Sequence, residues 1–442
     1  MSAPGDRTPA RRLARFIVEH PPPGPFRRGF WRSPLRGPWF TAVFSVVLLI
    51  GIPVVFLTGL ASYAAYNPDL GGPNNDLTPD KGLLGFYLFG WPAGPPWLYW
   101  LTQGVHVTLG LVLIPVVLAK LWSVLPKLFE WPPARSVVHV VDRLSLLLLV
   151  GGAAFQFVTG VMNIQYFYAW PFSFYQAHFY GAWVFMAAFV VHTAFRMPRL
   201  ITALRSRSMG RELRTPVERT VAEEPDPGHL VAPDPAQATI SRRGALGMVG
   251  ASSAALLALS AGQTIGGDAR STALLAPRGQ DVGDGPAQFQ VNKTAAAARI
   301  TRVDQSWRLA LLGPSGPSMA LSRAELLALP QHTARLSIAC VEGWSTGLQT
   351  WAGVRLADLA ALAGAPGAER LVVESLQRAG PFTSATLAGN QIHATDALLA
   401  LRVNGVDLPL DHGYPARVVV PALPGVHNTK WVARMTFLPD AP

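Results

Sequence analysis

Four long apolar runs constrain this chain more than any other feature. They cover residues 39–61, 97–122, 137–164 and 177–195. As helices rising about 1.5 Å per residue, each is long enough to cross the roughly 30 Å hydrocarbon core of a bilayer. A helix also satisfies its own backbone there, where no water can. A fifth run, 244–266, is built largely from Ala, Ser and Gly and is less apolar. Composition agrees: 14% of the 442 residues are charged, against about 25% in soluble chains. The net charge of +11 invites a nucleic-acid reading. The arginines cluster beside apolar runs, however, where positive charge reports topology, so no nucleic-acid partner is expected. The single cysteine, Cys340, excludes an internal disulfide, a four-thiolate iron–sulfur cluster and a Cys-rich zinc site.

The arginines sort the two sides of the membrane. Arg7, Arg11, Arg12, Arg15, Arg27, Arg28, Arg32 and Arg36 precede the first run, and Arg196, Arg199, Arg205, Arg207, Arg211, Arg214 and Arg219 follow the fourth. Lys120, Lys127 and Arg135 mark the turn between the second and third runs. The loop after the first run has Lys81 with Asp69, Asp76 and Asp80, and residues 166–176 carry no charge. The positive-inside rule places the N-terminus in the cytoplasm of a multi-pass plasma-membrane protein, with Trp91, Trp97, Trp100 and Trp170 as an outer aromatic belt. The Pro- and acid-rich stretch 215–239 lacks periodicity and reads as a linker. Arg242-Arg243 before the small-residue fifth run resembles a twin-arginine export signal, retained as an anchor.

Four of the ten histidines, His106, His139, His178 and His192, lie in or at the spans. An ionisable group there is functional by default. His178 and His192 are fourteen residues apart on one helix, which returns them to within about 40° of one face with a rise of about 21 Å. By depth, His106 pairs with His178 near the outer surface and His139 with His192 near the inner one. Neutral imidazole suits iron and haem is apolar, so two stacked His–Fe–His sites would carry electrons across the bilayer. Proton-relay histidines are the rival reading. Without a Cys-x-x-Cys-His run, any haem is b-type. Gly104, Gly110, Gly151, Gly152, Gly160 and Gly181 offer room for a flat macrocycle. The arrangement resembles the di-haem cytochrome b subunits of membrane formate dehydrogenases and hydrogenases, over about residues 36–199. That family also has a histidine in its first helix. This first run has none, and His139 must substitute.

From about residue 279 the pattern changes to short apolar runs separated by Gly and Pro, beginning at Leu371, Arg417 and Trp431, which predicts a β-rich domain. Short helices are expected at 322–329, where Ser322 and Glu325 form a capping box, and at 355–363. Asn404-Gly405 is a hairpin turn signal. Two stretches carry chemistry. Cys340 in SIACVEGWS could bind a soft metal or act as a nucleophile, although a lone cysteine is most often an inert buried thiol. His412 and Arg417, with Lys430 further on, lie among Gly and Pro turns whose amides could hold a phosphate.

Together, CVEGWS, HGYPARVVVP and the pair Lys430-Trp431 resemble the molybdopterin domain of the sulfite oxidase family over about residues 290–437. Within it, the run also resembles the C-V-E-x-W-S run of the catalytic subunits of periplasmic methionine-sulfoxide reductases. The resemblance implies that Cys340 ligates molybdenum and is the catalytic residue, and that His412 and Arg417 hold the pterin and its phosphate. It further implies that Asn428, Thr429 and Lys430 bind the pterin further along, and that Ser375 and Asn292 add contacts. The C-terminal dimerisation domain of true sulfite oxidases does not follow.

The expected architecture is multi-domain. An all-α membrane four-helix bundle and a fifth transmembrane helix precede a mixed α/β, β-rich sulfite oxidase-like domain. Its parts are a cytoplasmic basic tail (1–36), a di-haem cytochrome b domain (37–200), a cytoplasmic linker (201–240), the fifth helix (241–266) and an extracytoplasmic molybdopterin oxidoreductase domain (280–442). The expected activity is a molybdenum oxidoreductase. It would exchange electrons between membrane quinone or quinol and an extracytoplasmic substrate through two b haems, reducing a sulfoxide-type compound. The alternatives are a sulfite-type dehydrogenase feeding quinone, and a haem relay or sensor with a non-catalytic pterin domain.

Overall fold

The computed structural model describes residues 16, 19–66, 90–132, 136–226, 228–276, 285–314, 319–378 and 382–439. Arg7, Arg11, Arg12, Arg15, Asp69, Asp76, Asp80, Lys81 and Arg135, which entered the topology argument, lie outside the described residues. The chain divides into two compact units. The first comprises Met1–Pro53, Leu111–Gly160 and Tyr180–Leu256; the second comprises Val54–Gly110, Val161–Phe179 and Leu257–Pro442. The second unit therefore joins parts of the N-terminal helices to the C-terminal domain, a grouping that the sequence pattern did not anticipate.

Among the described residues, five helices are long and apolar enough to cross a membrane, consistent with a multi-pass membrane protein. They are α1 (Pro38–Tyr66), α2 (Leu98–Leu128), α3 (Val137–Ile164), α4 (Phe174–Ser206) and, after the short α5 (Met209–Arg214), α6 (Arg242–Ile265). The helices α1, α2 and α4 outrun their apolar cores. Hydropathy marks only the hydrocarbon-compatible stretch, whereas residues such as Arg, Leu and Ala propagate a helix beyond it. Thus α4 continues through Arg196 and Arg205 and tolerates Pro198.

In the first unit, the described residues of the 215–239 stretch are irregular apart from a 3-10 turn at Val217–Arg219, as the composition predicts, but some of them, such as Glu223 and Leu230, are buried. Glu223 is buried, and its carboxylate accepts the backbone N–H of Trp39 at 2.8 Å and of Phe40 at 3.1 Å. Those are first-turn amides of α1 with no partner inside the helix, and the helix dipole favours a negative group there. Arg242, the first of the paired arginines, is 1% exposed. Its guanidinium donates to Glu212 at 3.0 Å, to the Pro34 carbonyl at 3.2 Å and to the Val221 carbonyl at 2.8 Å. Trp39, Phe40, Phe44, Val116 and Ala245 form an apolar cluster in this unit.

In the second unit, two five-stranded sheets carry the C-terminal domain. One has the order β2 (Met319–Ser322), β1 (Arg308–Leu312), β10 (Val432–Leu438), β5 (Arg370–Ser375), β6 (Ser384–Ala388). In it β1 and β10 run parallel and the other pairs antiparallel. The other has the order β3 (His332–Leu336), β4 (Gln349–Arg355), β7 (Leu398–Val403), β8 (Val406–Asp407), with β9 (Arg417–Val419) also paired to β7. Short helices α7 (Arg323–Ala328), α8 (Leu356–Leu362) and α9 (Gly389–Ile392) connect strands. The Ser322–Glu325 capping box forms as expected. Asn404 and Gly405 take φ of 49° and 84° between β7 and β8, the left-handed pair that a tight hairpin requires. Alternate residues of β1 and β5 are buried, while β7 is buried almost throughout because other chain segments cover both its faces.

The aromatic-belt expectation needs correction at Trp91. It is 6% exposed, belongs to the main apolar cluster of the second unit and donates its indole N–H to the Ala422 carbonyl at 2.7 Å. Trp97 and Trp170 remain about half exposed.

Replacing Glu223 with Ala should destabilise the full-length protein by about 1–3 kcal/mol, because two buried amides lose a charged acceptor. A lower thermal midpoint in detergent, without loss of helix content at 20 °C by circular dichroism, is the expected outcome.

Candidate functional site

The sequence places its only thiol on a loop between β3 and β4, and hydrogen bonds close that loop into a tight turn. The Cys340 N–H donates to the Trp344 carbonyl at 2.8 Å, and the Gly343 N–H donates back to the Cys340 carbonyl at 3.0 Å. Gly343 has a φ of 87°, which a side chain would strain. A second loop comes alongside: the Gly425 N–H donates to the Ala339 carbonyl at 2.8 Å, and Ala339 also bridges to Ser345 and Pro424.

Cys340, Asn292, His412, Arg417 and Lys430 line one cleft, with Gln290, Trp344, Thr346 and Gly425 among its other walls. Arg417 opens β9 and is buried; its guanidinium lies over Trp351 at 5.5 Å and donates to the His412 carbonyl at 3.3 Å. No carboxylate pairs with it among the described residues, and burial lowers its pKa to about 9. The Lys430 ammonium donates to the backbone carbonyls of Lys293 and of Asp411, the latter at 3.1 Å, and lies 4.6 Å from the Trp431 ring. His412 stacks on Phe289 with ring centroids 3.8 Å apart. Burial, then the charges of Arg417 and Lys430, push its pKa down to about 3, so it is neutral at physiological pH. Gly413, at a φ of 110°, is hemmed between Lys430 and Arg417, so the backbone there can bend only without a side chain.

A buried guanidinium without a carboxylate is costly unless an anion offsets it. Arg417 Nε and Gln290 Oε1 are buried without a hydrogen-bond partner. A soft thiol, buried cations and unsatisfied polar atoms along one cleft fit a group that combines a thiophilic metal with a phosphate.

The other expected contacts stand behind the cleft. Ser375 Oγ donates to the Lys430 carbonyl at 2.8 Å and accepts from the Gln377 N–H at 3.2 Å. Asn428 accepts from the Val420 N–H at 2.8 Å and donates to the Pro424 carbonyl at 3.1 Å. Both side chains are engaged by backbone, so their role here is to shape the loop that carries Lys430. Thr429 is buried, with its hydroxyl unbonded and its carbonyl accepting from the Val418 N–H at 2.9 Å. Asn292 reaches the cleft while its Oδ1 accepts from the Lys293 N–H at 2.9 Å. Sequence reasoning missed Gln290, which lines the cleft, and it did not single out His427, whose ring nitrogens are both buried and unbonded. No local pattern marks either residue.

The second unit also brings together two of the four histidines. The rings of His106 on α2 and His178 on α4 have centroids 6.2 Å apart at an interplanar angle of 86°. Two imidazoles sharing one iron, each nitrogen about 2 Å from the metal, hold their centroids roughly 6 Å apart. His106 Nδ1 lies 2.8 Å from the Val55 carbonyl, which can only accept. The proton therefore sits on Nδ1 and leaves the Nε2 lone pair for a metal, the usual arrangement for a ligating histidine. A Cβ on Gly59 would come within 2.9 Å of the His106 ring. Gly59 is thus the glycine that admits this imidazole, while Gly104 packs against Thr264 and Gly152 against Phe185. His139 and His192 are half-buried on α3 and α4 in the first unit.

Residues 296–442 match the family model described as the oxidoreductase molybdopterin binding domain. This part of the chain is an oxidoreductase molybdopterin-binding domain of the sulfite oxidase family. Over 162 residues it is 33% identical to the sulfite oxidase of Gallus gallus, covering 30% of this chain and 35% of that protein. Over 131 residues it is 33% identical to the uncharacterized oxidoreductase YuiH of Bacillus subtilis (strain 168), covering 30% of this chain and 65% of that protein. Among solved structures, the sulfane dehydrogenase SoxCD from Paracoccus pantotrophus matches at 26% identity and a TM-score of 0.28, covering 32% of this chain and 40% of that one. The chain spans about a third of the length of the sulfite oxidases it matches. Gln290 and Asn292 lie just before the matched residues, so the molybdopterin-binding domain draws part of its cleft from the connecting segment.

Two outcomes are expected. Arg417→Met should abolish retention of molybdenum and pterin, read by mass spectrometry and pterin fluorescence. It should leave the cofactor-free protein as stable or up to about 1–4 kcal/mol more stable, since an uncompensated buried charge is removed. The second concerns pH. His412 and His427 fall from 6.5 to about 3 on burial. Between those values the unfolded chain binds protons that the folded chain does not, so stability is lost as pH falls below about 6.5. The thermal midpoint should drop between pH 7 and pH 5, and less steeply in His427→Asn.

Proposed function

We propose that this protein is a membrane-bound molybdenum oxidoreductase that exchanges electrons between a membrane quinone pool and an extracytoplasmic substrate through b haems. The observation that carries the reading is that one compact unit holds both the Cys340 cleft and the His106–His178 pair at haem-ligand spacing. Cys340 would ligate the metal, Arg417 and Lys430 would hold the pterin phosphate, and neutral His412 would hydrogen-bond the pterin. When bound, the molybdenum cofactor supplies two-electron oxygen-atom exchange, and haem supplies one-electron steps. The protein's part is to orient these groups, keep water from the buried cations and fix the His106 tautomer through Val55.

The substrate we propose is a sulfoxide, reduced with electrons from quinol. CVEGWS fits the C-V-E-x-W-S run of methionine-sulfoxide reductase subunits, which supports this choice, and His139 and His192 would hold the second haem toward the cytoplasmic face. A second reading runs the current backwards, oxidising a sulfite-type anion and reducing quinone; the 33% identity to proteins called sulfite oxidase favours it.

Purified full-length protein should contain about two iron and one molybdenum per chain. His106→Ala should remove one iron and about half of the low-spin haem absorbance, leaving molybdenum in place. Cys340→Ser should lower substrate turnover by at least about 100-fold while both haems remain. Turnover that survives Cys340→Ser would overturn the enzyme assignment. Sulfoxide-driven oxidation of reduced haem, against sulfite-driven reduction of oxidised haem, separates the two directions.

A further inference from the structure

The turn that follows Cys340 is not exposed. Gln103 of α2 donates its amide N–H to the Val341 carbonyl. Val107, one helical turn along, sits so close to Gly343 that a Cβ there would meet Val107 Cβ at 2.8 Å. Thr264 at the end of α6 donates to the Gly343 carbonyl at 2.7 Å, and the Ser345 N–H donates to the Gln263 carbonyl at 2.9 Å. The turn is thus bound at both shoulders to helix, with its glycine pressed on α2. Val107 is the sequence neighbour of His106, and Gln103 precedes His106 by three residues on the same side of the helix.

From these contacts we infer that the 341–343 turn is the electron junction of the protein, with Val107 and Gln103 as its positioning residues. It couples the Cys340 site to the His106–His178 site specifically. The inference rests on the haem reading proposed above and adds which imidazole pair serves the domain and through which atoms. The route is short: Cys340 carbonyl to Gly343 N–H by a 3.0 Å hydrogen bond, Gly343 to Val107 by van der Waals contact, and Val107 to His106 along the chain. Tunnelling falls steeply with each through-space gap, and this route has no gap wider than a packed contact. Gly343 serves two ends at once, since its left-handed φ of 87° closes the turn on Cys340 while its missing side chain lets Val107 approach.

Electron balance sets the traffic. Reducing a sulfoxide to a sulfide and water consumes two electrons and two protons, and oxidation of one quinol releases both. One electron crosses the junction at a time, so two crossings complete each conversion. The same count holds in reverse if the substrate is oxidised.

The test is transient spectroscopy on the full-length protein in detergent, with haem prereduced and sulfoxide mixed in. A Gln103→Leu/Val107→Ala double variant should slow haem oxidation by about tenfold or more. Its haem spectrum and its sulfoxide turnover with a small diffusible dye as donor should match the parent. Val107→Thr, which keeps the side-chain shape, should transfer at the parental rate. Parental transfer in the double variant, or equal slowing by Val107→Thr, would overturn the junction and leave the oxidoreductase reading standing. Parental protein whose loaded haem never responds to sulfoxide or sulfite would sink that reading itself.

Discussion

A guanidinium taken out of water inside a protein must recover several kcal/mol from its surroundings or bring in an anion. Arg417 sits at the start of a buried strand with an aromatic ring and one carbonyl for company. Much of the C-terminal domain is organised around tolerating that charge. β9 fixes its backbone against β7, Gly413 gives it room, and the Lys430 ammonium beside it is held by two backbone carbonyls. Burial, reinforced by the same field, keeps His412 neutral, so the cleft offers cations for a phosphate and a neutral imidazole for a heterocycle. Ser375 and Asn428 matter because they fix the loop from which the lysine projects.

The apolar part of the chain solves a related problem with different means. An imidazole among long apolar helices is expensive, and His106 meets part of that cost by giving one nitrogen to a backbone carbonyl, with the His178 ring beside it. In the Cys340 cleft, the polar atoms that stay buried without a hydrogen-bond partner, Arg417 Nε and Gln290 Oε1, define what an added group must supply.

Much of this was legible in the sequence because hydropathy and a few rare residues carry it. Helix existence follows from run length alone, and the capping box at Ser322 and the turn at Asn404-Gly405 are local chemistry. Cys340, His412, Arg417 and Lys430, singled out by their motifs, line one cleft. What was hidden depends on contacts between residues far apart in the chain. Trp91 looked like a membrane-interface aromatic, yet its indole serves a carbonyl 331 residues away. Gln290 reaches the cleft, and His427 is buried with both ring nitrogens unbonded, through packing that no short pattern encodes. The extent of α4 was underestimated because a charged, helix-favouring tail is invisible to hydropathy.

The carboxylate at the start of α1 has a consequence for biogenesis. Glu223 lies 184 residues beyond the first amide that it caps, on the far side of four membrane-length helices. During synthesis the first helix is therefore complete before the carboxylate that caps its leading amides exists. It acquires its cap only after the segment that follows α5 has left the ribosome. Arg242, which ties Pro34 and Val221 together, is made later still. The first span is thus made well before the residues that lock it, so a product truncated ahead of Glu223 lacks the acceptor for those amides.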